Sequence, residues 1–430
     1  MLSMLLTLPS PKHKTLYYYC LMMGMCKLMS SVPVALEAAL NTLFKRMPAL
    51  EPELSFRLAE WLAFHVSNFG FSLEPFGKTW GVVITRKLEQ NPNLAVRGGL
   101  EMDARVLFVR YLLERMVRLS YVERVQRDLP KSFVPLLPPK PVGKLDWEAP
   151  GAARDLISHV SVYAVIATWI GDSERESLAS LSEALLNRLR AKAAREEVAS
   201  WIERASPDPR KRTALVVQTL LHAGSKSVSH LEKLLEKFGW LIRHVAADAA
   251  GTAEVVGAGL RYWKLSTQMA ALLIRKLIEY DIVEAGAALS HMFSSKGINA
   301  LLEFDCWETI LAAVEMAARA VAALQAERRV WEREQEMRED DDSGLPPGDS
   351  ELELVQDALD AKRREKKAFF ANFFVEACGA LSEKLKHAAA GDVPEDEEWW
   401  RVCIGRVCMV GRRHHKVGLA PRPQFAATLT

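Results

Sequence analysis

Cysteine is scarce in this chain. Six cysteines stand among 430 residues, at 20, 26, 306, 378, 403 and 408, with no short paired spacing. That excludes a disulfide framework and reads as reduced thiols in a cytosolic or nuclear protein. An excess of one charge sign is also missing: 56 Lys and Arg face 54 Asp and Glu, a formal net charge of +2. The chain as a whole therefore lacks the footprint of a nucleic-acid-binding protein, and any RNA contact needs a local patch or a partner. Long apolar runs are lacking too. The start, MLSMLLTLPSPKHKT, has no basic segment ahead of its short apolar run, which stops at Pro9, so it does not read as a signal peptide. Leu16 to Met29, LYYYCLMMGMCKLM, carries Lys27 and falls short of the ~20 residues that span a bilayer. A buried helix is expected there, and no membrane segment. Period-two segments bounded by hairpin turns are absent, which predicts little or no sheet. No P-loop, dinucleotide fingerprint or H-E-x-x-H occurs, and no RNA-recognition signature. AVRGGL, at 95–100, has two glycines without phosphate-loop spacing.

What is present is helical periodicity. Phe56, Leu58, Trp61, Leu62 and His65 fall on neighbouring turns, as do Val106, Val109, Leu113, Met116 and Val117. Met269, Leu272, Leu273, Leu277 and Tyr280 repeat the pattern. Breakers lie between these runs. The strongest is 129–151, with six prolines, the expected domain boundary. ASPDPRKR at 205–212 is a second. A third, DDDSGLPPGD, interrupts a long charged helical stretch and predicts a helical hairpin with a mobile acidic tip. Its second arm places Leu352, Val355 and Leu359 at helical spacing and carries a basic cluster, Lys362, Arg363, Arg364, Lys366 and Lys367. A solvated helix face is the simpler reading of that cluster; a nuclear-import or nucleic-acid patch is the other. Antiparallel helices joined by short turns, with no strict period, predict an all-α chain: an α-solenoid of HEAT-like helix pairs.

Two stretches raise the question of chemistry. VVQTLLHAGSKSVSHLEKLLEKF, 216–238, gathers His222, Ser225, Lys226, Ser227, Ser229 and His230. No G-x-S-x-G elbow is present and no carboxylate is placed to orient a histidine, so a turn between two amphipathic helices is expected rather than a hydrolase site. Gly224 suits a positive-φ helix end. Ser227 or Ser229 suits an N-cap, and Glu232 sits three residues after Ser229, as a capping box requires. Cys403, Cys408, His414 and His415 are possible metal ligands, yet their spacing is unlike a zinc knuckle, and buried cysteines beside a polar helix end are expected. Neither metal nor cofactor is expected. Trp61, Phe64, Phe69, Phe71, Phe76 and Trp80 read as core and helix-pair packing, with some left for a protein partner.

Taken in order, several segments resemble the large subunit of the nuclear cap-binding complex. YYYCLMMGMCKL, WLAFHVSNFGF and VRYLLERMVRLSYVERV resemble its middle domain. VVQTLLHAGSKSVSHLEKLLEKF resembles the start of its third domain, followed in order by STQMAALLIRKLIEYDIVEAGAALSHMFSS, CWETI and EEWWRVCIGRV. The resemblance implies MIF4G-like domains of HEAT-type helix pairs. Residues 8–135 correspond to the second domain, incomplete at its N-terminus, and 136–151 to a proline-rich linker. Residues 152–415 correspond to the third domain, with the hairpin insertion at about 318–372, and 416–430 form an atypical tail. For the family's first domain, with its import signal, no counterpart is expected in these 430 residues.

It further implies a non-enzymatic scaffold, in the nucleus and able to shuttle to the cytoplasm. Such a scaffold holds an RNA-recognition-motif small subunit that binds the 5′ cap, contacts capped RNA only indirectly, and offers surfaces to splicing, export, 3′-processing and decay factors. Ser67, Asn68 and Phe69 are the candidate partner contacts, while Trp61 and His65 are expected in the core. The alternative is a translation-initiation-type scaffold that docks an RNA helicase.

Overall fold

The computed structural model describes residues 1–95, 101–148, 172–224, 227–339, 349–389 and 397–415. Among them every regular element is helical and no strand occurs: the chain is an all-α solenoid. Its first part runs α1 (Leu2–Leu5), α2 (Thr15–Leu28), α3 (Ser31–Lys45), α4 (Pro52–Ser67), α5 (Glu74–Gly77), α6 (Trp80–Gln90), α7 (Ala104–Arg118) and α8 (Val122–Arg127). Next come α9 (Asp172–Arg190), α10 (Arg195–Ala205), α11 (Pro209–Gly224), α12 (Val228–Val245), α13 (Ala249–Tyr262), α14 (Thr267–Glu279), α15 (Ala285–Lys296) and α16 (Asn299–Leu302). Two long helices, α17 (Phe304–Glu339) and α18 (Asp349–Ala389), and then α19 (Glu397–Arg413) complete it.

The apolar stripes set the pairing. On α7, Val106, Val109, Leu113 and Met116 are buried against Leu58, Trp61 and Leu62 of α4, and the two helices pack side by side. Phe44 and Phe76 sandwich the indole of Trp80, at ring separations of 4.6 and 4.0 Å. Each fully buried aliphatic or aromatic chain contributes about 1.5–3 kcal/mol. A second core joins α11 to α13 and α14 to α17, around Leu215, Val256, Ile274 and Trp307. Side-chain caps fix where helices start. Asp103 accepts from the Arg105 and Val106 amides at α7, Asp248 from Gly251 at α13, and Ser266 from Met269 at α14. Each cap contributes about 1 kcal/mol.

The proline-rich segment is packed rather than loose where it is described. Phe133 and Leu136 are buried in the first core and Trp147 in the second. The Asp146 amide donates to Gln218, and Asp146 pairs with Arg261 at 2.8 Å. Helices α17 and α18 lie against each other in opposite directions, with Arg328 donating to Gln356 at 2.9 Å. The acidic tip expected to be mobile, 340–348, lies outside the described residues, as do 149–171, 96–100, Ser225, Lys226 and the 416–430 tail. Within α17, Cys306–Arg333 is long and apolar enough to cross a membrane by length and composition. Its first turns, with Trp307, Ile310, Ala313 and Val314, are nevertheless part of the second core.

One expectation is corrected. Helix α2 buries only Tyr18, Tyr19 and Met22, while Leu16, Tyr17, Leu21 and Leu28 are exposed. It packs on α1, α3 and α4 through one face, and its apolar residues run all the way round it, so burial of one face leaves the rest outside.

Candidate partner interface

Helix α4 ends in a turn that pushes Phe69 outward. The Phe69 amide donates to Val66 O at 3.0 Å and the Phe71 amide reaches the same carbonyl at 2.7 Å, a six-residue closure typical of helix ends. Gly70, at φ 77°, supplies the left-handed residue that such an end requires. Phe71 is left-handed as well, at φ 63°, which costs a non-glycine residue about 1–3 kcal/mol. Burial of its ring offsets this strain, and Arg124 clamps the turn: its guanidinium lies 5.7 Å from the Phe71 ring and donates to Gly70 O at 2.8 Å. Asp128, at the C-terminal cap of α8, holds Arg124, and that pairing keeps the exposed Asp128 carboxyl below its usual range.

The three residues singled out from the sequence sit here together. Ser67 Oγ and Asn68 Nδ2 both donate to Phe64 O, at 2.7 and 2.8 Å. Their polar groups thus both turn back onto the Phe64 carbonyl in the last turn of α4, while the Phe69 ring is 42% exposed. Phe69 packs at a tilt on His65, which lies between it and Trp61 at ring distances of 4.7 and 5.3 Å. Burial pushes the His65 imidazole below its ordinary pKa, so it is neutral at physiological pH. Trp61 is fully buried, as expected. Beside Phe69 opens a groove of about 660 Å³, walled by Glu74 and Lys78 on one side and Asp128, Pro130 and Lys131 on the other. An exposed aromatic ring on a rigid turn, at the rim of a mixed-charge groove, is suited to anchor a protein partner.

The serine and histidine stretch resolves differently. Ser227 is the N-cap of α12: its Oγ accepts from the His230 amide at 3.3 Å and lies 2.6 Å from His230 Nδ1. This is a local contact three residues apart on an exposed helix start. No described carboxylate contacts His230, so nothing orients the ring for proton transfer. Ser229 lies inside the helix and is not the cap. Glu232 pairs instead with Lys276 of α14 at 2.7 Å. Gly224 ends α11 without positive φ; it is buried against Leu231 and Leu234, where a side chain would press on Leu234 Cδ1 at 3.2 Å. Cys403 is buried and Cys408 exposed, and no grouping able to hold a metal occurs among the described residues.

A feature that sequence reading missed is the polar joint between the two cores. Arg406 of α19 is 1% exposed. Its guanidinium donates to Tyr111 OH at 2.6 Å and to Leu301 O, and lies 5.3 and 5.2 Å from the Phe56 and Trp307 rings. Glu308 of α17 receives Arg115 and Arg118 of α7 at 2.6 and 3.1 Å, and Thr267 donates to Glu114 at 2.9 Å. Glu53 of α4, its carboxylate buried, receives Arg57, Arg412 and Arg413 at 2.9, 3.3 and 3.0 Å. Gly405 lets the helices meet: a Cβ there would stand 2.5 Å from Pro52 Cγ.

The comparisons with known proteins agree with this architecture. Family profiles described as MIF4G like match residues 172–420 and residues 1–131. Nuclear cap-binding protein subunit 1 of Gallus gallus is 26% identical over 439 residues, covering 96% of this chain and 50% of that protein. The protein of the same name from Xenopus tropicalis is 25% identical over 439 residues, covering 96% and 51%. The one from Homo sapiens is 26% identical over 425 residues, covering 96% and 50%. The chain thus spans about half the length of the curated relatives it matches.

Proposed function

The chain belongs to the MIF4G-like family, and from that premise we propose that it is a non-enzymatic scaffold subunit of a nuclear cap-binding complex. The observation that carries this reading is the alignment of almost the whole chain with relatives named nuclear cap-binding protein subunit 1. In this reading the two regions, 8–135 and 152–415, act as the second and third domains of such a subunit. Their partner is an RNA-recognition-motif protein that holds the 5′ cap. The scaffold binds the ordered, cap-competent form of that partner better than its disordered form, and so raises cap affinity by shifting the population. Ser67, Asn68 and Phe69 belong to the partner-facing surface, with Phe69 as the anchor. Splicing, export and decay factors dock elsewhere on the solenoid, and the complex works in the nucleus.

The test is a pull-down of the same organism's cap-binding RNA-recognition-motif protein by this chain, repeated with Phe69→Ala. Association weakened by the variant supports the reading. Association with an RNA helicase in its place points to the translation-initiation type of scaffold and contradicts it.

A further inference from the structure

The basic cluster of α18 does not face solvent alone. The C-terminal end of α19 lies across from it, and between them opens a cleft of about 770 Å³. Arg363, Lys366 and Lys367 line one wall and Arg412, Arg413 and His414 the other; no carboxylate is among the lining residues. The carboxylates behind these walls are already engaged. Glu51 and Glu53 hold Arg412 and Arg413 from the far side, and Asp360 holds Arg363 at 3.0 Å. Lys366 and Lys367 have no ion-pair partner among the described residues.

We propose that this cleft binds the phosphate backbone of a single-stranded RNA segment, as a site on this chain separate from any cap-binding partner. It goes beyond the scaffold reading, in which capped RNA is contacted only through the small subunit.

Three features select the ligand. Arg363, Lys366 and Lys367 share one face of α18 over a rise of about 6 Å, so the site suits a ligand with several spaced negative charges rather than one anion. Lysines meet phosphate as point charges, and Arg363 adds a planar fork. The opposite wall offers planar groups: the His414 ring packs 4.6 Å from Phe370, next to the Arg413 guanidinium, a platform on which a base can stack. The apolar lining is only Pro9, Ala318, Val321 and Ala322, too shallow for the deep side-chain anchor that a peptide partner needs. The surroundings are consistent with an unfilled demand for negative charge. Burial holds the Lys366 ammonium below its ordinary pKa, and burial together with Lys366 and Arg413 pushes the His414 imidazole down to about 4.

The experiment measures fluorescence polarisation of a labelled, uncapped 10-nucleotide oligouridylate with the full chain alone, from low to physiological salt. Without a cap or a partner protein in the assay, its failure is distinct from failure of the scaffold reading. We expect binding that falls with salt, and a loss of at least tenfold in affinity for the double variant Lys366→Glu/Lys367→Glu. The slope of log K against log salt should drop by about 1.4, because single strands release roughly 0.7 counterion per phosphate contact. Lys366→Gln/Lys367→Gln, a milder pair, should show an intermediate loss with an unchanged circular dichroism spectrum. Lys233→Glu/Lys237→Glu on α12 should leave binding unchanged. No binding at low salt, or equal binding by the Lys366 and Lys367 variants, overturns the proposal. Displacement of the RNA by a polyglutamate peptide of matched charge at equal or lower concentration overturns it in favour of an acidic peptide.

Discussion

The joint and the cleft are two arginine-rich regions built on the same helix, and they use charge in opposite ways. At the joint the cations have partners. Arg406 has a carbonyl, a phenol and two aromatic faces, and Arg115 and Arg118 share Glu308. A few residues further along α19, Arg412 and Arg413 still hold Glu53, but the lysines facing them across the cleft hold nothing described. Paired buried charge fixes how the two cores meet. Surplus charge at an open surface contributes little to stability and is available to a ligand.

The comparison breaks most sharply at Arg406. Arg406→Ala removes a fully enclosed side chain together with its hydrogen bonds to the Tyr111 hydroxyl and the Leu301 carbonyl, so we expect a loss of roughly 3–5 kcal/mol in urea denaturation. An unchanged midpoint would mean that the joint is ornamental. Next in size is Gly405→Val, whose new side chain collides with Pro52; a destabilisation of about 1–3 kcal/mol is expected by the same measurement. Ser227→Ala removes one helix cap outside both regions and should cost about 1 kcal/mol. His230→Ala should change the thermal midpoint less, since the ring is exposed, and neither variant should alter hydrolysis of a generic ester above background. At the small end, Lys366→Gln/Lys367→Gln should move stability by no more than about 0.5 kcal/mol, as unpaired surface charges do. A large loss there would show that the cleft lysines hold the fold after all.

These differences also show where the sequence was legible. Helix α7 could be read from its apolar spacing, because a stripe is a local signal, whereas its cap at Asp103 went unread. The pairing of α17 with α18 was legible for the same reason, as two charged helical runs separated by breakers. The choice between Ser227 and Ser229 was not, since both suit a cap and only the helix start, set by burial of Leu231 and Leu234, decides between them. In α2 the sequence shows apolar residues on all sides, and it does not say how many neighbours cover them. The left-handed Phe71 has no local signature, because its strain is compensated by Arg124, more than fifty residues later. Arg406 reads as one more polar residue in CIGRVC; its partners Tyr111 and Leu301 lie 295 and 105 residues away. The basic cluster was counted along one helix, whereas its electrostatics depend on the wall opposite. Ser67, Asn68 and Phe69 were singled out from a motif, and the turn adds local geometry that the motif lacked: two polar groups turned to the helix end and one ring turned outward.

The central proposal, that this chain is a scaffold that makes its partner competent for the cap, meets its most direct test in one titration. The affinity of the same organism's RNA-recognition-motif protein for a capped oligonucleotide is measured with and without this chain at saturating concentration. If the free partner is competent only about a tenth of the time, the account predicts a gain of about tenfold. Unchanged cap affinity at a chain concentration where the two proteins are shown to associate, or no association at all, would contradict it.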